Sequence, residues 1–280
     1  VNFMGTLSLI TSNGQYKKYT YTHGGASTTG VHVFTTQSGQ SVAPAISTTK
    51  KPLSQLNPLS VSPSNVIAKT NGCMYEYYEN KFYGFFYQGS GNPMYINGTK
   101  YTTLPTSSIM YTDPKYFPSF CIKSDGTATI RWFSSKDDAE MALQYCDYVI
   151  GACHPLVYDG KCVFNQDVYE PEVLGGKLIY NRNNPSDSNS RYNTGINQST
   201  DKRTLLGHKE NGTFVMAVTD DSMSMKNAAN LMYDLDCDYA VNMDGGSPVE
   251  MRIASGYGPA GKVSEDGGLS IHTAVVAYRT

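Results

Sequence analysis

The sharpest chemical feature of this sequence is a carboxylate followed by two glycines, in Asn242-Met243-Asp244-Gly245-Gly246-Ser247. Glycine lets backbone approach a ligand closely. An acid at the carboxyl end of an apolar strand points into the crevice where open sheets hold their ligands. The same letters also write a plain Asp-Gly turn whose carboxylate caps its own backbone, so the motif alone leaves both readings open. Asp220, Asp221 and Asp244 carry the oxygen ligands that a divalent cation such as Ca²⁺ takes. Their spacing matches no calcium loop, so no metal or other cofactor is assigned. Upstream, Glu76 and Glu79 stand among Tyr75, Tyr77 and Tyr78; such rings stack on sugars or fill a core.

The elements that must position these residues are written in weakly charged letters. Of 280 residues, 22 are Lys or Arg and 24 are Asp or Glu, a net charge of -2. The charged fraction of 16% is well below the roughly 25% of an ordinary domain. The apolar fraction is too high for a disordered chain. No apolar run reaches the ~18 residues of a membrane span, and a near-neutral chain has no electrostatic drive toward nucleic acid. A globular protein remains, in one large domain or two modest ones. Cys73, Cys121, Cys146, Cys153, Cys162 and Cys237 form no C-x-x-C pair and read as isolated buried thiols. No basic segment leading into an apolar stretch opens the chain, so no signal peptide is read in it.

Residues 1–60 are a strand-rich segment read as part of the same domain as 61–280. Strand-like runs fall at Gly5 to Ile10 and Val31 to Thr36, and Pro44, Pro52, Pro58 and Pro63 then read as a surface connection. Further runs are Val66 to Thr70, Phe82 to Tyr87, Phe120 to Lys123 and Thr127 to Phe133. Asp125-Gly126 and Asn211-Gly212 are hairpin signals. Ser134 or Ser135 opens a helix through Tyr145, and Ser222 or Ser224 opens another ending near Asp236. Asn181 to Lys202 is a long polar loop of the kind that serves as a lid, binding loop or link. Tyr239 to Met243 is the short strand that delivers Asp244. The expected fold class is α+β, with mixed, largely antiparallel sheets and a few packed helices.

Taken in order, several segments resemble the phosphodiester glycosidase family. They are Ala68-Lys69-Thr70-Asn71-Gly72, Pro93 to Lys100 with Asn97-Gly98, and Leu156-Val157-Tyr158-Asp159-Gly160-Lys161. Arg203-Thr204-Leu205-Leu206-Gly207-His208 follows, then the hairpin ending at Asp220, then Asn242 to Gly246. The resemblance spans roughly residues 60 to 255 and departs from the family pattern at Cys73, Asp221 and Ser247-Pro248. Pro248 fixes φ and removes an N–H donor.

The resemblance implies a hydrolase that splits the bond between a sugar's anomeric carbon and a phosphodiester oxygen. A phosphate leaves without full protonation, so this site needs a cation on the phosphate and a carboxylate for water more than the strong acid of most glycosidases. On this reading Arg203 offers a bidentate fork to phosphate. Asp244 is the carboxylate, Glu250 or Asp220 its partner, and His208 a neutral donor or proton shuttle. Asn71, Gly72, Thr204, Gly245 and Gly246 line the substrate, and His154-Pro155 touches the pocket. The expected partner is a carbohydrate or glycophosphate polymer, alongside other virion or cell-surface proteins, in an extracellular, cell-surface or virion-associated location. Two other readings stay open: a non-catalytic glycan-binding or virion structural module on the same fold, and a phosphodiesterase cutting the P–O bond.

Overall fold

The computed structural model describes residues 5–73, 75–76, 81–82, 84–106, 118–151, 154–172, 175–187, 190 and 199–280, with the side chains of Tyr75, Glu76 and Lys81 left out. Four strands open the chain: β1 (Thr6–Asn13), β2 (Tyr16–His23), β3 (Ala26–Thr35) and β4 (Gln40–Pro52). The others that build the site are β5 (Val66–Asn71), β6 (His154–Tyr158), β7 (Thr204–Lys209), β8 (Phe214–Thr219), β9 (Cys237–Asn242), β10 (Met251–Ile253) and β11 (Ser270–Arg279). An eight-stranded sheet runs β1-β2-β3-β8-β7-β9-β6 and ends on the short strand Lys161–Cys162. A five-stranded sheet runs from Gly261–Lys262 through β10, β5 and β11 to β4. Val31 and Phe34 of β3, Leu205 of β7, Ile67 of β5 and Val275 of β11 share one buried cluster. Phe120 and Ile130, from a separate six-stranded sheet, pack into the same cluster.

Every pairing between these strands is antiparallel, which corrects the expectation of mixed sheets. The strand–helix–strand unit from β8 to β9 explains the difference. Both strands pair antiparallel with β7, which lies between them, so the crossover creates no parallel ladder. Only two α-helices are found among the described residues, Lys136–Tyr145 and Met225–Asp234. The chain is therefore mostly antiparallel sheet, and α+β describes it only roughly. Each helix starts at an expected cap: Ser135 accepts from the Asp138 N–H and Ser224 from the Asn227 N–H, both at 3.1 Å.

The turns follow their letters. Asn97 and Gly98 have φ of 47° and 78°, and Asp159 and Gly160 have 50° and 71°, the paired positive values of a tight hairpin turn. Asp125 and Asn211 each accept from the N–H and hydroxyl of the Thr two residues on. The surface connection read around Pro44 and Pro52 is instead strand: β4 holds both, with Ala43 and Ala45 fully buried. Proline is tolerated there because β4 is the edge of its sheet, where a missing N–H leaves no ladder bond unmade. The N-terminal 60 residues thus supply strands to both sheets, β3 beside β8 and β4 beside β11.

Candidate active site

The floor of the site is made where three chain segments meet. β5 ends at Asn71, whose amide is held from three directions. Its Nδ2 donates to the Asp244 carbonyl at 2.9 Å, while its Oδ1 accepts from the Thr204 hydroxyl at 2.7 Å and the Glu250 N–H at 3.2 Å. Gly72 accepts from the Asp244 N–H and donates to the Thr273 carbonyl, both at 3.0 Å. A β-carbon on Gly72 would sit 2.6 Å from Thr273 Oγ1, so glycine is what permits the close approach. Gly246 donates to the Lys202 carbonyl at 3.1 Å, and a β-carbon on Gly245 would collide with that carbonyl. The Asp-Gly-Gly turn therefore does two jobs: it closes tightly against residues 201–202 and it places Asp244 beside the end of β5.

Asp244 lines a cavity of about 420 Å³, a volume within the ordinary range for small-ligand sites. Asn71, Gly72, Cys73 and Phe82 form its buried lining, Pro248 is half-buried, and Lys50 and Leu269 stand exposed at its rim. Burial pushes the Asp244 carboxyl up to about 7, against the Gly245 N–H that lowers it, and the charge of Asp201 raises it further. The group is thus poised to exchange a proton near neutral pH, the condition for efficient acid–base work.

The other expected residues stand further off. Thr204 and Glu250 touch Asn71, but the Glu250 carboxylate turns away to the Gly268 N–H at 2.6 Å, with Arg252 3.7 Å from it. Arg203 is buried, its Nε donating to the Met223 carbonyl and its Nη2 to the Ser199 carbonyl, each at 2.8 Å. It lies near His154, whose pKa falls to about 4 through burial and the Arg203 charge. His154 and Arg203 are not among the cavity's lining residues. Asp220 pairs with His32 at 2.6 Å and accepts from the Glu265 N–H at 2.8 Å. Asp221 instead accepts from the Thr29 hydroxyl. His208 pairs with Tyr239, four residues along β7 from Thr204, or about 13 Å at strand rise, which removes it from the cavity. No group of His, Cys, Asp or Glu among the described residues has metal-holding geometry. Tyr77, Tyr78, Glu79 and Cys153 lie outside the described residues, as do the Tyr75 and Glu76 side chains. Cys73, Cys121, Cys146, Cys162 and Cys237 are buried.

Sequence reasoning missed the opposite wall of the cavity, Leu269 to Thr273 and Lys50. A signal for β11 exists in the apolar run Ala274 to Tyr278, but Lys50 sits in a polar Ser-Thr-Lys stretch that marks nothing. Cys73 and Pro248, two of the departures from the family pattern, both line the cavity. The Cys73 N–H donates to Thr273 Oγ1 at 2.9 Å, and that hydroxyl lies 3.2 Å from the Cys73 sulfur.

The fold is shared with solved structures. The catalytic domain of zebrafish N-acetylglucosamine-1-phosphodiester alpha-N-acetylglucosaminidase, auto-inhibited by its pro-peptide, superposes with a TM-score of 0.58 at 14% identity. The match covers 99% of this chain and 82% of that one. A hypothetical protein from Synechocystis gives 0.54 at 11% identity, over 98% of this chain and 64% of its own. No curated protein matches by sequence. The family model for phosphodiester glycosidase, however, matches residues 64–278, from the 3₁₀ turn before β5 almost to the end of β11. With that match over most of its length, the chain belongs to the phosphodiester glycosidase family.

Proposed function

We propose that this protein hydrolyses a sugar-1-phosphate diester at the glycosidic C–O bond, on a substrate such as a surface glycopolymer bearing N-acetylglucosamine. The observation that carries the reading is Asp244, a carboxyl raised to about 7 on the wall of a 420 Å³ cavity in a member of this family. As a base, Asp244 takes a proton from water while the water oxygen bonds to the anomeric carbon. The C–O bond to phosphate breaks, and its electron pair leaves with the phosphate monoester. Asn71 and Gly72 fix the Asp244 backbone, so the carboxyl needs little reorganisation as charge develops. Arg203, on this reading, braces the segments behind the turn. A neutral, Tyr-rich chain suits carbohydrate, which is recognised by stacking and hydrogen bonds more than by net field. An extracellular, cell-surface or virion-associated setting fits such a substrate.

The test is release of free sugar from a GlcNAc-1-phosphate diester in ¹⁸O-labelled water. Label in the sugar is expected, and Asp244→Asn should lower kcat/KM by about 10²–10⁴-fold, the usual worth of a positioned acid–base group. Label in the phosphate would instead mean P–O cleavage and overturn the assignment. Saturable polysaccharide binding without any product would make the protein a glycan-binding module.

A further inference from the structure

The reaction needs a cation on the substrate's phosphate, and Arg203 directs two of its nitrogens to the backbone carbonyls of Met223 and Ser199, none of the three lining the cavity. The geometry points to Lys50 as the residue that holds the phosphate; this inference rests on the cavity being the reaction site. The pairing of β4 with β11 carries the argument. Ile46 pairs with Thr273 and Lys51 with Ile271, so the four residues Ser47 to Lys50 stand opposite His272 alone. This wide bulge is built, not frayed. His272 Nδ1 lies 2.9 Å from the Ser47 carbonyl, and the Thr49 N–H donates to the Ser47 hydroxyl at 3.3 Å. Bulges can re-aim a side chain beside a functional site, and this one carries Lys50, which lines the cavity at its rim.

The placement also orders the substrate. Asn71 and Gly72 are buried at the inner end beside Asp244, while Lys50 and Leu269 are exposed at the rim. The sugar then enters first, its anomeric carbon faces Asp244, and the phosphate lies outward against the Lys50 ammonium with the aglycone leaving through the mouth. Pro248, which also lines the cavity, offers no N–H to a phosphate oxygen and leaves that role to other donors. A lysine is a strong point-charge donor to phosphate through its three N–H groups.

The experiment compares wild type with Lys50→Met, which keeps most of the stem, and Lys50→Arg, which keeps the charge. Inorganic phosphate is titrated as a competitive inhibitor of GlcNAc-1-phosphodiester turnover and, separately, as a ligand by calorimetry. Lys50→Met should weaken phosphate binding and raise KM about tenfold or more, as loss of one charge-assisted hydrogen bond does. Its kcat should change far less, and Lys50→Arg should stay within about threefold of wild type on the same scale. Phosphate affinity and KM untouched by Lys50→Met, or no phosphate binding by wild type, overturns the assignment of Lys50. Absent turnover with phosphate binding that still depends on Lys50 overturns the reaction and leaves the assignment standing.

Discussion

At the scale of the residue, the proposed chemistry turns on one carboxyl whose charge is costly where it sits. Asp244 is raised to about 7 chiefly by burial, with Asp201 adding to the shift. A phosphodiester keeps a single negative charge across the neutral range, so substrate ionisation does not mask the enzyme's own titration. kcat/KM reports the free enzyme. It should therefore rise as pH increases through about 7 and level off above, because the base works only when deprotonated. Asp201→Asn should move that midpoint down, since it removes a charge that opposes ionisation of Asp244. A pH–rate profile of both proteins checks this; a midpoint unmoved by Asp201→Asn would show that burial alone sets the value.

At the scale of the element, Asn71 is where three strands agree on a geometry. It ends β5, accepts from the first residue of β7, accepts from the N–H just before β10, and donates to the turn after β9. Asn71→Ala leaves the Thr204 hydroxyl and the Glu250 N–H without that acceptor. A cost of about 2–4 kcal/mol in stability is expected for two abandoned buried donors. Denaturant melts should show it, with a loss of kcat as the Asp244 turn loosens. A fall in activity without a fall in stability would mean that Asn71 acts on substrate and not on the frame. The frame itself was legible because each part has local letters: the apolar run of β5, the Asn-Gly hairpin of β7 and β8, and the capped helix leading to β9. The bulge of β4 was not. Its four residues are Ser, Thr, Thr and Lys, which carry no periodicity, and the neighbouring prolines read as loop until an edge position made them acceptable. Arg203 was read as a phosphate ligand; the backbone carbonyls its guanidinium meets were not legible, because those partners lie 4 and 20 residues away.

At the scale of the whole molecule, two carboxylates, Asp220 buried and Asp244 half-buried, pull stability in opposite directions with pH. Asp220 joins the two ends of the chain: its oxygens meet His32 of β3 and the Glu265 N–H, and Tyr16 of β2 lies 2.8 Å from the other His32 nitrogen. Gly30 makes room for it, since a β-carbon there would strike the Asp220 side chain. Burial alone would raise the Asp220 carboxyl, but the His32 hydrogen bond, the Glu265 N–H and the charges of His32 and Lys18 outweigh it and hold it below its ordinary value. A depressed carboxyl stabilises the fold above its unfolded pKa, near ~4, and loses that contribution as pH falls through the folded value. Asp244 is the reverse. Its raised pKa means a cost that is fully present above about 7 and gone below the unfolded value. Asp220→Asn should then destabilise by about 3 kcal/mol at pH 7, a fall of roughly 5 °C in Tm, and by much less at pH 3. Asp244→Asn should stabilise at pH 8 and be nearly neutral at pH 4. Thermal melts of both variants across that range make a joint test. Parallel curves for the two would mean that at least one carboxyl lacks the environment described, whereas curves of opposite slope would separate the acid that holds the chain together from the acid proposed to do its chemistry.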